Sequence, residues 1–333
     1  MGKDIGINLG STNTVVYIKG KGIVLNEQTV VSVDCITSLI EEVGSDALQT
    51  AARVPGSAML VSPMRDDSRR LEASDRIIKR ALKMFGASKA RVGICVPASF
   101  SSIEKESLMK SVEAIGAKPF IVNKAVAAAI GAGKDITAPD EGGIVINIGA
   151  SATEIAVIAG ARVVMTETLD IAGDSFTDAV SRYVVRRRRI EPSEETAAFI
   201  KHDIGAVWER EDNEPRFYNG IRTDDGLPKN FKMRPSVLTQ AFEEPLADLL
   251  DGICDVIDRI PDDAYDFAAE RGILLTGGGS NLWGLAQMIG QVTGIYTMVA
   301  DDPASVAAIG ACKALMYGTV SEGGILYEME DFV

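Results

Sequence analysis

Two stretches of the chain repeat one pattern of apolar and polar positions. Residues 5–18 read IGINLGSTNTVVYI and residues 144–157 read IVINIGASATEIAV, and a shift of 139 positions places one on the other. In both, an apolar strand leads into a tight glycine-containing turn, and a second apolar strand follows. The shift aligns three residue pairs: Asn8 with Asn147, Gly10 with Gly149, and Thr14 with Thr153. The repeat predicts two similar domains that each open with the same β-hairpin.

The remaining apolar runs predict an alternation of strands and helices, which is typical of an α/β fold. Strands are predicted at 30–34, 91–96, 120–123, 166–171 and 273–276. Helices are predicted from Ser101 to about Gly116, over 125–133, from Gly173, over 236–260, after the glycines at 277–279, and over 305–317. Ser101 and Glu104 have the spacing of a capping box, and Pro245 would kink the long amphipathic helix.

Length and charge restrict the class of protein. At 333 residues the chain is long enough for about two domains. A hydrophobic fraction of 46% with 24% charged residues predicts a folded protein. The net charge of −13 argues against nucleic acid as a partner, because binding to phosphate backbones requires basic surface.

The cysteines and the apolar runs bear on location. Cys35, Cys95, Cys254 and Cys312 form no C-x-x-C pair and have apolar neighbours, which predicts buried thiols in a reducing compartment. We find no signal peptide and no apolar run of membrane-spanning length, so we expect a cytoplasmic protein. The arginines at 186–189 are interpreted as a solvated helix end, and residues 321–333 as a partly ordered acidic tail.

Three glycine-rich turns are candidates for binding phosphate. They lie at residues 10–14, 149–153 and 277–280. Backbone N–H groups in such turns can converge on phosphate oxygens, and small residues allow the phosphate to approach. The sequence contains neither a P-loop pattern nor the dinucleotide-binding pattern of glycines after a first strand, so those two site types are disfavoured.

Ten segments, distributed over nearly the whole chain, point to a known family. They read DIGINLGSTNTVVYIKGKGIVLNE, RVPGSAMLVSPMRD, ICVPASFSSIEKESL, VAAAIGAG, TEIAVIAGARVV, IAGDSFTDAV, GLPKNFKM, EEPLADLL, RGILLTGGGSNLWGL and DDPASVAAIGACKAL. In sequence and in order they resemble the bacterial actin homologues of the MreB/Mbl family, which are rod-shape cytoskeletal proteins. The resemblance implies the actin-like fold of the actin/Hsp70/hexokinase superfamily, with two α/β domains around a nucleotide cleft.

The resemblance also implies domain bounds. The first domain is expected at 1–140, with a smaller inserted subdomain at about 30–72, and is completed by a C-terminal helix within about 305–333. The second is expected at 141–304, with its inserted subdomain at about 180–260.

The family's nucleotide-binding positions transfer to this chain by their place in the motifs. The first hairpin, with Asn8, Gly10, Ser11, Thr12 and Asn13, would hold the phosphates from one side. Gly149, Ala150 and Ser151, together with Asn147, would hold them from the other. Lys201 and Asp203 would lie near the ribose and base, and Gly277, Gly278, Gly279 and Ser280 would face adenosine and phosphates. The implied cofactor is ATP or ADP, with a weakened dependence on Mg²⁺.

The chain departs from the family pattern at the positions that the family uses for metal binding and for positioning water. The family's I-D-L-G-T reads INLGS here, its D-I-G-G-G-T-T-E reads NIGASATE, and its E-E-P-M-A-A-A-I-G reads NKAVAAAIG. Asn8 and Asn147 therefore replace the two aspartates on the Mg²⁺ side, and no direct metal ligand is expected. Asn123 replaces the glutamate that positions water. Amides keep hydrogen bonding but lose the charge that attracts a hydrated metal ion.

These substitutions lead to one favoured function and two alternatives. We expect a filament-forming cytoskeletal protein that binds adenine nucleotide with weak or absent hydrolysis and helps to determine cell shape. Its partners would be itself or a paralogue with the family's usual residues, the inner face of the cell membrane, and the cell-wall synthesis machinery. The alternatives are an active ATPase with substituted metal ligands, and a monomeric regulatory or adaptor protein.

Met84 and Phe85 lie where the family can have a membrane-inserting loop. A buried helix end is the other interpretation of these two residues. The only histidine, His202, is expected on a helix beside the base pocket.

Overall fold

The chain forms four β-sheets and eleven helices within the described residues. The computed structural model describes residues 2–53, 56–65, 69–136, 138–159, 162–317 and 326–327. The strands are β1 Asp4–Leu9, β2 Asn13–Ile18, β3 Gly22–Gln28, β4 Val31–Asp34, β5 Ile40–Val43, β6 Ala58–Val61, β7 Arg91–Val96, β8 Lys118–Asn123, β9 Gly142–Ile148, β10 Thr153–Ala159, β11 Arg162–Leu169, β12 Ile190–Glu191, β13 Arg216–Arg222, β14 Pro228–Met233, β15 Ile273–Thr276, β16 Thr297–Val299 and β17 Leu326–Tyr327.

The helices occur between these strands in α/β alternation. They are α1 Ser45–Arg53, α2 Arg70–Met84, α3 Ser102–Glu113, α4 Lys124–Gly131, α5 Gly173–Arg188, α6 Glu194–Ile204, α7 Pro235–Ala241, α8 Glu243–Asp258, α9 Asp262–Arg271, α10 Leu285–Thr293 and α11 Val306–Ala314. A short 3₁₀ helix covers Gly278–Asn281. No described helix combines the length and the apolarity needed to cross a bilayer.

Each half of the chain contributes one large sheet and one small one. The first large sheet has the order β17-β8-β7-β1-β2-β3 and the second has the order β11-β10-β9-β15-β16. The small sheets, β5-β4-β6 and β12-β13-β14, come from the segments predicted to be inserted subdomains. This confirms the α/β class, whereas the domain bounds at residues 140 and 304 stay predictions.

The two hairpins predicted from the repeat are built in the same register. Leu9 pairs with Thr14 in the first, and Ile148 pairs with Thr153 in the second, at the same shift of 139 positions. In each case the first strand also pairs in parallel with a later strand, β1 with β7 and β9 with β15. The internal repeat in the sequence therefore corresponds to a structural repeat.

Helices α4 and α11 pack together between the two large sheets. The core there contains small and branched residues from both sheets and both helices, including Cys95, Val145 and Ala311. A Cβ atom added at Gly310 would lie 1.6 Å from the carbonyl oxygen of Ala127. The two helix backbones thus approach so closely that only glycine fits at the crossing.

Two expectations from the sequence are wrong. The predicted helix over 236–260 is divided into α7 and α8, because Pro245 lacks an N–H group and its ring would clash with the carbonyl group of residue 241 in a continuous helix. Pro245 is tolerated in the first turn of α8, where N–H groups have no intrahelical partner. Cys35 is exposed, because it follows β4 in a surface turn.

The arginine run and the acidic tail have different outcomes. Arg186–Arg188 are exposed in the last turn of α5, and Arg189 has a left-handed backbone conformation that ends the helix. This confirms the solvated helix end. The acidic tail at 321–333 lies outside the described residues except for the two residues of β17.

The capping box of α3 offers a test of local stability. The Ser101 hydroxyl accepts from the Glu104 N–H, and the Glu104 carboxylate accepts from the Ser101 N–H at 2.9 Å. We expect Ser101→Ala to lower the free energy of unfolding by about 1 kcal/mol, because a helix N–H group loses its acceptor. Urea denaturation measures this, with Ser102→Ala as the matched control one residue further on. Equal stability of the two variants would contradict the assignment.

Candidate functional site

The turns of the two repeated hairpins meet face to face. The Ser11 hydroxyl of the first turn is hydrogen-bonded to the Ser151 hydroxyl of the second. Each turn is closed internally in the same way, because the Gly10 N–H donates to the Asn13 carbonyl at 3.1 Å and the Gly149 N–H donates to the Ala152 carbonyl at 3.0 Å. The two halves of the chain therefore meet at matching turns.

Backbone donors at these turns can bind an anion. Within the described part of the chain, none of the N–H groups of Ser11, Thr12, Ala150 and Ser151 donates a hydrogen bond to another protein group. Successive N–H groups in a turn form a concave site for phosphate oxygens. The assignment of Ser11, Thr12, Ala150 and Ser151 to the phosphate chain of a nucleotide stays a prediction, which these free N–H donors favour. Asn13 instead donates its side-chain amide to Asn26 at 2.8 Å.

The three asparagines at the predicted chemical positions have different surroundings. The Asn8 Oδ1 is buried and has no hydrogen-bond partner among the described residues. The Asn147 Oδ1, also buried, accepts from the Thr276 hydroxyl at 3.3 Å. The Asn123 Oδ1 caps α4, because it accepts from the N–H groups of Ala125 and Val126 at 3.0 and 3.3 Å. The Asn123 oxygen is thereby committed to the helix.

An ion pair that the sequence did not predict joins the two halves beside these asparagines. The Lys124 ammonium at the start of α4 lies 3.2 Å from the Glu154 carboxylate on β10. The side chains are 12% and 3% exposed, respectively. The second Glu154 oxygen is buried and without a hydrogen-bond partner in the described structure. A charged residue within the apolar run TEIAVI was the one available sequence signal for this pair.

A divalent metal ion does not fit these side chains. Asn8 and Asn147 are neutral, and the charged group nearest to Glu154 is an ammonium. In the part of the chain that the structure describes, no three His, Cys, Asp or Glu side chains are grouped so that they could hold a metal ion. Mg²⁺ prefers carboxylate ligands and water in an octahedral arrangement. The site therefore lacks the acidic residues that would hold hydrated Mg²⁺.

The start of α5 connects the second turn to the first half of the chain. The N–H groups of Gly173 and Asp174 donate to the carbonyls of Gly149 and Ala150 at 3.1 and 2.7 Å. Arg65 reaches the Asp174 and Glu194 carboxylates at 2.8 and 2.7 Å. Burial raises the pKa of Asp174, although the Arg65 charge opposes this shift. Arg65, which follows β6, therefore links the first half of the chain to the second.

Lys201 is also held at the start of α5. Its ammonium donates to the Gly173 carbonyl at 2.8 Å and to the Thr177 hydroxyl at 2.9 Å. Burial lowers the Lys201 pKa to about 8, and the nearby Asp174 carboxylate partly offsets this effect. Lys201 is therefore a cation close to the second turn whose charge changes just above neutral pH.

A small cavity lies next to Lys201 and the third glycine turn. Its volume is about 50 Å³, and it is lined by Ile148, Gly173, Phe176, Lys201, His202, Gly278, Gly279, Asn281, Leu282 and Leu285. Ligand pockets usually measure several hundred Å³. An adenosine group would therefore require these side chains to move apart.

The other predicted residues of this region lie around the cavity without lining it. Gly277 packs on the second hairpin, where a Cβ atom would lie 2.3 Å from the Ile148 carbonyl oxygen. The buried Ser280 hydroxyl donates to the Thr276 carbonyl. The Asp203 carboxylate is bound by Arg216 and, at 2.8 Å, by the Tyr218 hydroxyl. His202 rather than Asp203 thus faces the cavity from α6.

A larger groove of about 560 Å³ runs along α5 and the segment before α6. It is wide open and contains none of the three glycine turns. Its lining comprises Thr177, Asp178, Ser181, Arg182, Val185, Arg186, Glu191, Pro192 and Glu194. We place the functional site at the hairpin turns instead, because backbone donors and buried polar atoms converge there.

The predicted membrane residues lie at the end of α2. Met84 is 54% exposed. Phe85 is partly buried and packs against the hydrophobic core of the first half of the chain. The Lys3 ammonium donates to the Phe85 carbonyl at 2.6 Å and to the Gly86 carbonyl at 3.1 Å, which holds the chain at this helix end. Only Met84 of the two offers substantial apolar surface.

Comparison with known proteins places the chain among proteins named for cell shape. The model of the MreB/Mbl protein family matches residues 2–321. The chain is 33% identical to the cell shape-determining protein MreB of Escherichia coli (strain K12) over 323 residues, which cover 94% of this chain and 93% of that protein. It is 31% identical to the cell shape-determining protein Mbl of Bacillus subtilis (strain 168) over 314 residues, which cover 92% and 94%.

Solved structures share the fold. MreB5 of Spiroplasma citri, bound to ADP, superposes with a TM-score of 0.85 at 23% identity over 96% of this chain and 99% of that one. The same protein bound to AMPPNP gives the same values. The double helical filament of MamK gives a TM-score of 0.76 at 18% identity over 94% of this chain and 98% of that one.

Proposed function

Because this chain belongs to the MreB/Mbl protein family, we propose that it is a cytoskeletal protein that polymerises and binds adenine nucleotide with weak or absent hydrolysis. The fold is the actin-like one that the sequence predicted. Its relatives are named as cell shape-determining proteins, and we extend that role to this chain.

The observation that carries the proposal is the contact between the two repeated turns. The contact between Ser11 and Ser151 brings together the backbone N–H groups and the hydroxyl groups of two matching turns. Such donors suit the oxygens of a phosphate chain that enters between the halves. MreB5 of Spiroplasma citri, which shares the fold, was solved with ADP and with AMPPNP. Both facts favour an adenine nucleotide as the ligand.

Hydrolysis of the nucleotide requires groups that this site lacks. Phosphoryl transfer depends on stabilising developing charge and on orienting the attacking water. Asn8 and Asn147 are neutral, and the Asn123 oxygen already accepts two N–H groups of α4. The described residues at these positions can therefore bind and position phosphate, but they provide no carboxylate to activate water.

We propose that the protein acts by forming polymers. Subunits that contact one another head to tail through unlike surfaces form open filaments. MamK, which shares this fold, was solved as a double helical filament. We propose that this protein assembles with itself or with a paralogue, in the cytoplasm and at the inner face of the cell membrane, near the cell-wall synthesis machinery.

Negative-stain microscopy and pelleting at micromolar protein concentration test this assembly. We expect filaments or paired protofilaments, either from the protein alone or after mixing with a paralogue that has the usual carboxylates. The alternative of a monomeric adaptor predicts a single monomeric species in both settings, and that result would overturn the proposal.

Membrane association makes a specific prediction about Met84. We expect Met84→Ser to reduce co-sedimentation of the polymer with anionic liposomes and to leave the melting temperature nearly unchanged, because this side chain is 54% exposed. Phe85→Ser should instead destabilise the protein by about 1–3 kcal/mol, since Phe85 packs on the core.

Met298→Ser is the matched control for that experiment. Met298 is 47% exposed on β16, in the other large sheet. If both methionine changes reduced liposome binding equally, or if neither did, insertion at Met84 would be ruled out.

A further inference from the structure

The buried Lys124–Glu154 pair suggests how the site balances charge without a metal ion. We propose that the Lys124 ammonium is a built-in cation that binds the phosphate chain of a metal-free nucleoside diphosphate or triphosphate. This inference rests on the proposed nucleotide binding and adds the group that makes the binding independent of Mg²⁺. It starts from the 3.2 Å contact between Lys124 and Glu154.

The strand pairing places Glu154 next to one of the three asparagines. Glu154 is directly opposite Asn147 in the β9–β10 ladder, so both side chains lie on one face of the second large sheet. In the first large sheet, Asn8 is paired with Cys95, whose thiol belongs to the core between the sheets. Lys124 starts the helix that fills this space. Glu154 thus links Asn147, its neighbour in the ladder, to Lys124, which lies 3.2 Å away.

The electrostatics of Cys95 supports this placement. Burial raises the Cys95 pKa to about 12, while the Lys124 charge lowers it and the Glu154 charge raises it. Cys95 shares its buried core with Ala125 and Val126, which directly follow Lys124 in α4. Because Cys95 is the neighbour of Asn8 across the ladder, the helix that Lys124 starts packs on the same core as the end of β1.

Two buried acceptor oxygens in this region have no hydrogen-bond donor, and they can accept from an ammonium but not from a phosphate oxygen. The Asn8 Oδ1 and the Glu154 Oε2 are buried and have no partner in the described structure. Buried polar groups of folded proteins are almost always hydrogen-bonded. An ammonium has three N–H donors, and Glu154 accounts for one here. The remaining donors of Lys124 can bind phosphate oxygens while Glu154 holds the side chain in place.

The sequence substitutions form one consistent set around this cation. By the family motifs, positions 8, 123, 124 and 147 would be carboxylates, and this chain has three asparagines and a lysine. Carboxylates at these positions would add negative charge near a phosphate chain, which a divalent cation would offset. Three amides and an ammonium add no such charge. The replacement of a family glutamate by Lys124 therefore accompanies the loss of the two aspartates on the metal side.

Equilibrium binding of fluorescently labelled ADP, with either EDTA or Mg²⁺ present, tests this role. Lys124→Met alone would leave the Glu154 carboxylate buried and uncompensated, so the informative variant is Lys124→Met/Glu154→Gln, which removes both charges. Lys124→Arg keeps the charge. The matched control is Lys110→Met/Glu106→Gln, which removes an exposed ion pair on α3 whose atoms are 2.6 Å apart. Melting curves verify that each variant is folded.

We expect wild type to bind ADP equally well in EDTA and in Mg²⁺. In EDTA, the double variant at 124 and 154 should bind at least about tenfold more weakly, because a charge-assisted hydrogen bond to phosphate is lost. Lys124→Arg and the control pair should remain within about threefold of wild type.

Three results would overturn the inference. If the folded double variant bound ADP in EDTA as tightly as wild type, Lys124 would have no role in binding, although the proposed function would stand. If wild type bound ADP only with Mg²⁺, a metal ion would serve where we place the ammonium. If wild type bound no ADP in either condition, the proposed nucleotide binding would fail together with this inference.

Discussion

The purified protein is expected to release phosphate from ATP at a rate no higher than that of a protein-free blank. Positioned acid and base groups typically contribute about 10²–10⁴-fold to a rate. Here the three positions that would supply them are amides, and the Asn123 oxygen is bound to the N–H groups of Ala125 and Val126. A coupled phosphate-release assay measures this directly. The preparation must be free of contaminating ATPases, which a second purification step can verify.

Restoring the acidic residues should recover activity only as a set. We expect Asn8→Asp/Asn123→Glu/Asn147→Asp to raise phosphate release above the blank in Mg²⁺. Single restorations should have little effect, because groups that act as a unit are not additive. The three single variants are the matched controls, and Lys124 is kept in all of them because a second buried carboxylate beside Glu154 would have no counter-charge.

A wild-type rate equal to that of a relative with all three carboxylates would contradict this prediction. It would mean that other side chains perform the roles of the missing carboxylates. The alternative of an active ATPase with substituted metal ligands would then be the correct function.

Gly310→Ala is expected to cause the largest loss of stability of any single change that we consider. A Cβ atom there would lie 1.6 Å from the Ala127 carbonyl oxygen and 2.7 Å from the Gly131 amide nitrogen, and both are backbone atoms of α4. The helices would have to separate at the contact between the two large sheets. Overpacking typically costs about 1–3 kcal/mol and can cost more where backbone must shift. Urea denaturation measures the change.

Gly290→Ala is the matched control for this substitution. Gly290 is also within a helix, α10, but the nearest atom to an added Cβ is the Ile295 carbonyl oxygen at 3.4 Å. Alanine favours helix over glycine by up to about 1 kcal/mol, so this variant should be as stable as wild type or slightly more stable. Comparable destabilisation by the two changes would show that the α4–α11 crossing is not unusually tight.

The local features of the fold were predictable from the sequence because they depend on neighbouring residues. The repeat of residues 5–18 at 144–157 indicated two matching hairpins, and the structure gives them the same register. The capping box at Ser101 and Glu104 was also confirmed. The break at Phe242 was missed, because the amphipathic pattern of 236–260 continues through it and Pro245 was interpreted as a kink.

The candidate site was predictable only in part, since its groups come from distant parts of the chain. The glycine turns and the three asparagines have clear sequence signals. The partners of a charged residue do not: Arg65 reaches Asp174 and Glu194, and Asp203 is bound by Arg216. One sequence does not show which of many oppositely charged residues will meet. Lys124 stood at a motif position that is acidic in the family, yet its pairing with Glu154 required the structure.

The central claim is that this actin-like chain keeps a nucleotide site that works without a divalent metal ion. Isothermal titration calorimetry of wild-type protein with ADP and with ATP, each in Mg²⁺ and in EDTA, tests it most directly. We predict saturable binding with dissociation constants that agree within about threefold between the two conditions, because no carboxylate at position 8 or 147 requires a metal ion. Binding that appears only with Mg²⁺, or no binding of either nucleotide, would contradict the account.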